Sequence, residues 1–231
     1  MLRGTLRNLA LWMLAAAVAA PGAALACTGP VEAVEADVAA IQSFVGGRRL
    51  LTFTGYSGAG YEQPEVMLEH ATMFLRSEDP AHTLVNIGAT AEGIGAVYEV
   101  AKRMGFTTMG IVSTRAREDD VALSRCADRV FFVRDATWGG FDAESGRLSP
   151  TSQAMVQVSS LMVGIGGGDV ARDEMLAAKE LGKPVLFMPA DMNHAVALAR
   201  AARRGEPPPQ SFKGAAHGAM ATARRGATSP R

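Results

Sequence analysis

The chain contains few residues that hold metals or build disulfide frameworks. Its 231 residues include two cysteines, Cys27 and Cys126, which are too few to predict a disulfide framework or a cysteine-based metal site. Cys126 precedes an apolar run and is expected to be a small buried thiol. The four histidines show no ligand spacing, so the sequence predicts no metal and no cofactor.

Several catalytic signatures are also missing. No G-x-S-x-G occurs, so an α/β-hydrolase is unsupported. The pattern G-x-x-x-x-G-K-[ST], which holds a triphosphate with magnesium, is absent. The segment GYSGAG, Gly55 to Gly60, does not have the spacing of a dinucleotide fingerprint. These absences exclude the common ways of binding ATP or NAD.

The first 26 residues have the pattern of a signal peptide. Arg3 and Arg7 precede a 12-residue apolar run, Leu9 to Ala20, and Ala24 to Ala26 has the small-x-small pattern of a cleavage site. A spanning helix needs roughly 20 apolar residues, so export to the periplasm is predicted instead. The next residue is Cys27, in a context that loosely resembles a bacterial lipobox, so a lipid anchor there is left open.

Charge divides the rest of the chain into two parts. Residues 27–202 carry 15 basic and 22 acidic side chains, a net charge of −7, which argues against nucleic acid as a partner. Residues 203–231 carry 6 basic side chains and 1 acidic side chain and lack apolar periodicity. Residues 205–231 are therefore predicted to be a disordered basic tail.

Between these ends, apolar runs alternate with helical patterns. Strands are predicted at Leu50 to Thr54, Thr83 to Ile87, Thr107 to Val112, Arg129 to Val133, Leu161 to Ile165 and Pro184 to Met188. Helices are predicted at Gln63 to Arg76, Gly93 to Met104, Glu118 to Arg125, Thr151 to Ser159, Val170 to Leu181 and Asn193 to Arg203. Continuously apolar strands predict a doubly wound, mainly parallel α/β Rossmann-like sheet of about six strands with helices on both faces, over residues 48–204. A helix at Val31 to Val45, within an N-terminal segment 27–47, is expected to pack onto it.

Three strands run directly into glycine-rich segments. Ligands of such sheets bind beyond the carboxyl ends of the strands, and glycines there expose backbone N–H groups to phosphate. The predicted ligand-binding residues are Gly55, Ser57, Gly58, Gly88, Thr90, Gly93, Ser113, Thr114, Gly166, Gly167, Gly168 and Asn193. A turn with positive φ is the structural alternative for each glycine.

The helix after the triple glycine supplies the predicted catalytic residues, Glu174 and Arg172. Glu174 is either a solvated acid that matches the helix dipole or a carboxylate that faces a ribose hydroxyl or a water molecule as general base. Arg172 points to a different side of the helix, so the two would contact different parts of a ligand. Trp138, between strand and helix in DATWGG, is either a lid that stacks on a base or a surface side chain.

The segment GIGGGDVARDEMLAAKELGKPVLF resembles the lysine-decarboxylase-like group, also called LOG and SLOG, in its order of strand, glycines, acidic helix and Gly-Lys-Pro before the next strand. The resemblance spans about residues 48–202. Members bind nucleotides, and some hydrolyse the N-glycosidic bond of a nucleoside monophosphate. It implies that Glu174 assists base departure or water attack, that Arg172 holds phosphate and that Gly166 to Gly168 cradle it.

A second resemblance covers the middle of the chain. The segment from GATAEGIG to RVFFV is similar to a sugar isomerase (SIS) domain, which implies that Thr90, Ser113 and Thr114 contact the phosphate of a sugar. Both resemblances imply a phosphorylated small molecule, with a nucleotide as the first expectation. A non-catalytic periplasmic binding protein and a protein-interaction scaffold are the alternatives. A membrane partner is expected only if Cys27 is lipidated, and a homo-oligomer is left open.

Overall fold

The computed structural model describes residue 27, residues 32–142 and residues 144–226. The expected signal peptide lies outside these described residues. Within them, no helix is both long and apolar enough to cross a membrane. The described part of the chain forms one sheet with helices packed on both faces.

Seven parallel strands form the sheet, in the order β1-β5-β4-β3-β2-β6-β7. They are β1 Glu32–Glu35, β2 Arg49–Gly55, β3 Thr83–Ile87, β4 Thr107–Ser113, β5 Arg129–Val133, β6 Leu161–Ile165 and β7 Val185–Met188. Strand β2 pairs with β3 on one side and β6 on the other, so the direction of winding reverses beside β2. The predicted doubly wound parallel fold is confirmed.

In the part of the chain that the structure describes, eight α-helices connect or flank these strands. They are α1 Val38–Val45, α2 Pro64–Leu75, α3 Val97–Arg103, α4 Arg115–Glu118, α5 Pro150–Val158, α6 Asp169–Glu180, α7 His194–Arg204 and α8 Ala215–Gly226. Local signals set several starts: the Asp37 side chain accepts a hydrogen bond from the Ala40 N–H at the start of α1, and Ser149 caps α5 ahead of Pro150.

Apolar strand residues point alternately to the two helical layers. Leu51 and Val85 pack with residues of α2 and α3, whereas Leu50 and Leu84 pack with residues of α1 and α5. All four side chains are fully buried. Burial on both faces explains why these strands are continuously apolar in sequence.

One predicted helix is wrong. A helix was expected at Glu118 to Arg125, but α4 ends at Glu118 and an extended loop follows. Asp120 has a φ of 47°, a left-handed conformation that ends a helix. Leu123 then forms an isolated bridge with Thr90, which ties this loop to the exit of β3.

The N-terminal boundary is also corrected. The predicted helix at Val31 to Val45 is strand β1 followed by α1, and β1 pairs with β5 as a seventh strand. The sheet therefore begins at residue 32, ahead of the expected residue 48. Glu32 forms an ion pair with Arg129. An edge strand this polar carries no apolar run to mark it in sequence.

The cysteines depart from expectation as well. Cys27 and Cys126 form a disulfide across a sequence separation of 99 residues, so Cys126 is not the predicted free thiol. The bond ties the N-terminal segment to the segment that leads into β5. Two cysteines so far apart carry no spacing signal, and only the parallel pairing of β1 with β5 brings them together.

The C-terminal segment is folded where disorder was predicted. Helix α8 buries Ala216 and Met220 in a small apolar cluster with Met175 of α6 and Phe187 of β7. The Gly214 N–H donates to the Tyr56 hydroxyl oxygen at 2.6 Å. Ala216, Ala219 and Met220 have the i, i+3, i+4 spacing of one helix face, but two of the three are alanines, so the apolar pattern is weak in sequence.

Gly214 offers a test of this docking. A Cβ at Gly214 would lie 2.2 Å from the Gly167 carbonyl oxygen. Gly214→Ala is therefore expected to lower the free energy of unfolding by about 2 kcal/mol, measured by urea titration. Gly218→Ala is the matched control, because a Cβ there has no neighbour within 4 Å and alanine favours helix by up to about 1 kcal/mol. Equal stability of the two variants would contradict the docking.

Candidate functional site

The carboxyl ends of β2, β3 and β4 meet at a cavity of about 510 Å³. Helices α5, α6 and α7 complete its wall. The predicted residues that line it are Gly55, Ser57, Gly58, Gly88, Thr90, Ser113 and Glu174. Residues from three separate strand exits and a helix thus share one cavity, as the geometry of a parallel sheet requires.

Glu174 lies at the inner wall of this cavity. Its side chain is buried, and it accepts hydrogen bonds from the Ser152 hydroxyl at 2.8 Å and the Thr54 hydroxyl at 3.2 Å. Burial raises the pKa of Glu174 to about 7, and the two hydroxyls offset only part of that effect. The exposed, dipole-matching alternative is therefore excluded, and the carboxyl exchanges protons near neutral pH.

Arg172 is held away from the cavity. Its guanidinium donates to Asp169 at 2.6 Å and to Asp173 at 2.8 Å, and it is not among the residues that line the cavity. Arg172 and Glu174 therefore do not face the same cavity in this arrangement, and both ion pairs of Arg172 are made within α6. The predicted phosphate contact of Arg172 would require these pairs to break.

The triple glycine is covered by the chain itself. Gly166 has a φ of 57°, and a Cβ there would lie 2.5 Å from the Tyr56 ring. The Gly167 carbonyl accepts a hydrogen bond from the Ala216 N–H at 3.2 Å, and Gly214 packs against it. The crevice between β2 and β6 is thus filled by Tyr56 and the C-terminal segment, and Gly166 and Gly167 do not line the cavity.

Four further predicted residues lie outside the cavity lining. They are Gly93, Thr114, Gly168 and Asn193. Asn193 caps α7 by accepting a hydrogen bond from the Val196 N–H at 3.0 Å. The Thr114 hydroxyl donates to the Asp135 carbonyl. Each of these contacts holds a turn or a helix end, so the roles predicted for these residues stay predictions.

Three residues that line or support the cavity were not predicted from the sequence. Thr54 and Ser152 hold Glu174, and Arg200 of α7 lines the cavity while donating to the Gly58 carbonyl at 2.7 Å. Thr54 could have been predicted from the sequence, because it places a hydroxyl at the end of an otherwise mainly apolar strand. Arg200 had no signal, because its position depends on how α7 crosses the exit of β2.

No protein-family model matches the chain, and no curated protein matches it. Some solved structures show a partial likeness to it. The structural genomics target TM1055 is 23% identical over 59% of this chain and 72% of its own, with a TM-score of 0.42. Two structures of the molybdenum cofactor carrier protein from Chlamydomonas reinhardtii are 17% and 16% identical, each with a TM-score of 0.44. They cover 61% and 77% of this chain, and 76% and 96% of their own.

At these TM-scores the likenesses carry no argument about what the chain does. The order of elements on which the resemblance to the LOG and SLOG group was based is present in the structure: β6 runs into Gly166 to Gly168, α6 follows and Gly182 to Pro184 lead into β7. Among the described residues, no group of three or more His, Cys, Asp or Glu side chains is arranged to hold a metal ion.

Glu174 predicts a specific dependence of stability on pH. Its pKa is about 7 in the folded protein against 4.5 for an ordinary glutamate, so the folded state holds a proton between those values that the unfolded chain has lost. The free energy of unfolding is thus expected to fall by on the order of 3 kcal/mol as pH rises from 4.5 to 7. Glu174→Gln should abolish this fall, because the amide does not ionise.

Urea unfolding of both proteins across this pH range measures the difference. Glu92→Gln is the control, because Glu92 lines the same cavity but is exposed to water, so its replacement is expected to leave the pH slope unchanged. If the free energy of unfolding changes with pH in the same way for the wild type and Glu174→Gln, ionising the buried Glu174 does not destabilise the fold, and the prediction is wrong.

Proposed function

We propose that the protein binds a nucleotide-sized phosphorylated molecule in this cavity. The observation that carries the proposal is a buried carboxyl, Glu174, facing a cavity at the carboxyl ends of β2, β3 and β4, beside the filled crevice. A volume of about 510 Å³ falls in the range of small-molecule sites. The filled crevice beside β6 leaves room for one such molecule on the β3 side.

The cavity offers different surfaces to different parts of a ligand. Phe53, Ile87 and Ile111 supply apolar wall for a ring. Arg200 supplies a cation, and the first turn of α6, with Val170 and Ala171 at the cavity, supplies the positive end of a helix dipole. A molecule that has both an apolar ring and an anionic group matches this combination, as a nucleoside monophosphate does.

The raised pKa of Glu174 favours a catalytic role within this proposal. At a pKa of about 7, both the carboxylate and the acid are populated at neutral pH. In N-glycosidic hydrolysis, the carboxylate takes a proton from water as the oxygen attacks the anomeric carbon. The bond from that carbon to the base breaks, its electron pair goes to the base nitrogen, and the carboxylic acid returns the proton there. The products are free base and ribose phosphate.

Binding is tested with the full chain by calorimetric titration with AMP, GMP, CMP and UMP. Arg200→Gln is expected to weaken binding by roughly tenfold, because a charged hydrogen bond to phosphate is lost. Arg203→Gln is the matched control, since Arg203 lies on the same helix outside the cavity lining and is exposed. No binding of any nucleotide to the wild type would reject the proposal.

Turnover is tested separately by chromatography of the released base. Glu174→Gln is expected to bind the nucleotide and release no base, whereas the exposed variant Glu69→Gln releases base at the wild-type rate. Wild-type release by Glu174→Gln would remove Glu174 as the acid–base group. Tight binding without release by the wild-type protein would identify a binding protein.

We also propose that the chain is exported and that Cys27 forms a disulfide after leader cleavage. The leader pattern of residues 1–26 supports this, and so does the Cys27–Cys126 bond, because structural disulfides are typical of oxidising compartments. A lipid on Cys27 would occupy the same sulfur, so the disulfide opposes the lipid anchor.

Thiol trapping in bacterial cells expressing the full chain tests this localisation. The expected result is an oxidised pair in the full-length product, and two free thiols when residues 2–26 are deleted and the chain stays in the reducing cytoplasm. Free thiols in both products, or a lipid-modified Cys27 seen by mass spectrometry, would contradict the proposal.

A further inference from the structure

The loop between β5 and α5 carries a large exposed aromatic side chain to the cavity. Trp138 lines the cavity and is 48% exposed. A single exposed apolar side chain is ordinary on a protein surface, so what distinguishes Trp138 is its place at the cavity. Here the exposed ring belongs to the cavity, so the molecule that would cover it is the ligand.

Hydrogen bonds hold the loop on both sides of Trp138. Before it, the Thr137 N–H and hydroxyl both donate to the Asp135 carboxylate at 2.8 Å. After it, the Gly140 N–H donates to the Ser152 hydroxyl oxygen at 2.8 Å, in a buried contact. Because hydrogen bonds fix the backbone on both sides of Trp138, the fold itself places the indole ring at the cavity.

Two glycines allow this loop to approach the helices beneath it. Gly139 has a φ of 105°, and a Cβ there would lie 2.9 Å from the Ser152 hydroxyl oxygen and 3.1 Å from Val170. Gly140 has a φ of 82°, and a Cβ there would lie 3.0 Å from Asp173. The backbone next to Trp138 therefore packs directly on α5 and α6, the helices that carry Ser152 and Glu174.

The same serine connects the loop to the acid. Ser152 accepts from the Gly140 N–H and donates to Glu174 at 2.8 Å. The aromatic ring and the carboxyl are consequently held by one short hydrogen-bonded chain. A planar ring next to Trp138 would be positioned relative to the carboxyl by contacts that are already made before the ligand binds.

We propose that Trp138 is a specificity-determining residue that stacks on the planar base of the ligand and so selects nucleotides over sugar phosphates. The inference rests on the proposed function, since it assigns one part of that ligand to one side chain. Stacking on an aromatic face stabilises any base and contributes nothing to a ribose phosphate.

The experiment titrates AMP and ribose 5-phosphate against the full chain carrying Trp12→Phe, so that Trp138 is the one remaining tryptophan. AMP is expected to quench the fluorescence of Trp138, and Trp138→Ala is expected to weaken AMP binding, measured by calorimetry, by roughly tenfold without changing the affinity for ribose 5-phosphate. Trp138→Phe should restore most of the loss.

Phe141→Ala is the matched control. Phe141 lies on the same loop and is 46% exposed, but it does not line the cavity, so its removal should change neither affinity. Unchanged AMP binding by Trp138→Ala, or an equal loss for both ligands, would overturn the role of Trp138 and leave the proposed binding intact. Failure of both ligands to bind the parent protein would overturn the proposed function and the inference together.

Discussion

Parallel pairing of β2 with β3 on one side and β6 on the other is the constraint on which the rest of the structure depends. In a parallel sheet all carboxyl ends lie at one edge, so the loops that follow the strands converge whatever their separation in sequence. The cavity, the placement of Thr54 beside Glu174 and the crevice beside β6 all follow from this arrangement. The apolar strands stabilise it by burying side chains on both faces.

The crevice at the reversal point, where such folds ordinarily bind ligands, is filled here. The Tyr61 hydroxyl donates to the Ile165 carbonyl at 2.8 Å, and the Tyr56 hydroxyl donates to the Ala190 carbonyl. The Tyr56 hydroxyl oxygen also accepts a hydrogen bond from the Gly214 N–H. These hydroxyls satisfy backbone groups that a ligand would otherwise meet. The cavity therefore lies toward β3 and β4, and Gly166 and Gly167 pack against the chain itself.

The burial of Glu174 affects both the stability of the fold and the chemistry that the cavity can perform. Its burial costs stability whenever it ionises, and the same burial brings its pKa to about 7, where acid–base chemistry is effective. Ser152 and Thr54 satisfy the two carboxyl oxygens without supplying a positive charge. A cation in their place would have lowered the pKa and left a permanently ionised group. Burial thus sets the pKa of Glu174, and the hydroxyls offset only part of its effect.

The sequence by itself determined six of the seven strands among the described residues, most helices there and the glycine-rich exits, because burial on two faces and helical periodicity are local patterns. It also singled out Glu174 from its place after the triple glycine. Only the tertiary structure decided that Glu174 is buried, since its partner Thr54 lies 120 residues away. Three other contacts could not be predicted because their partners are far apart in sequence: the Cys27–Cys126 bond, the approach of Arg200 to Gly58 and the docking of α8 over Gly167. Contacts between remote segments leave no periodic trace, because each depends on the path of the whole chain.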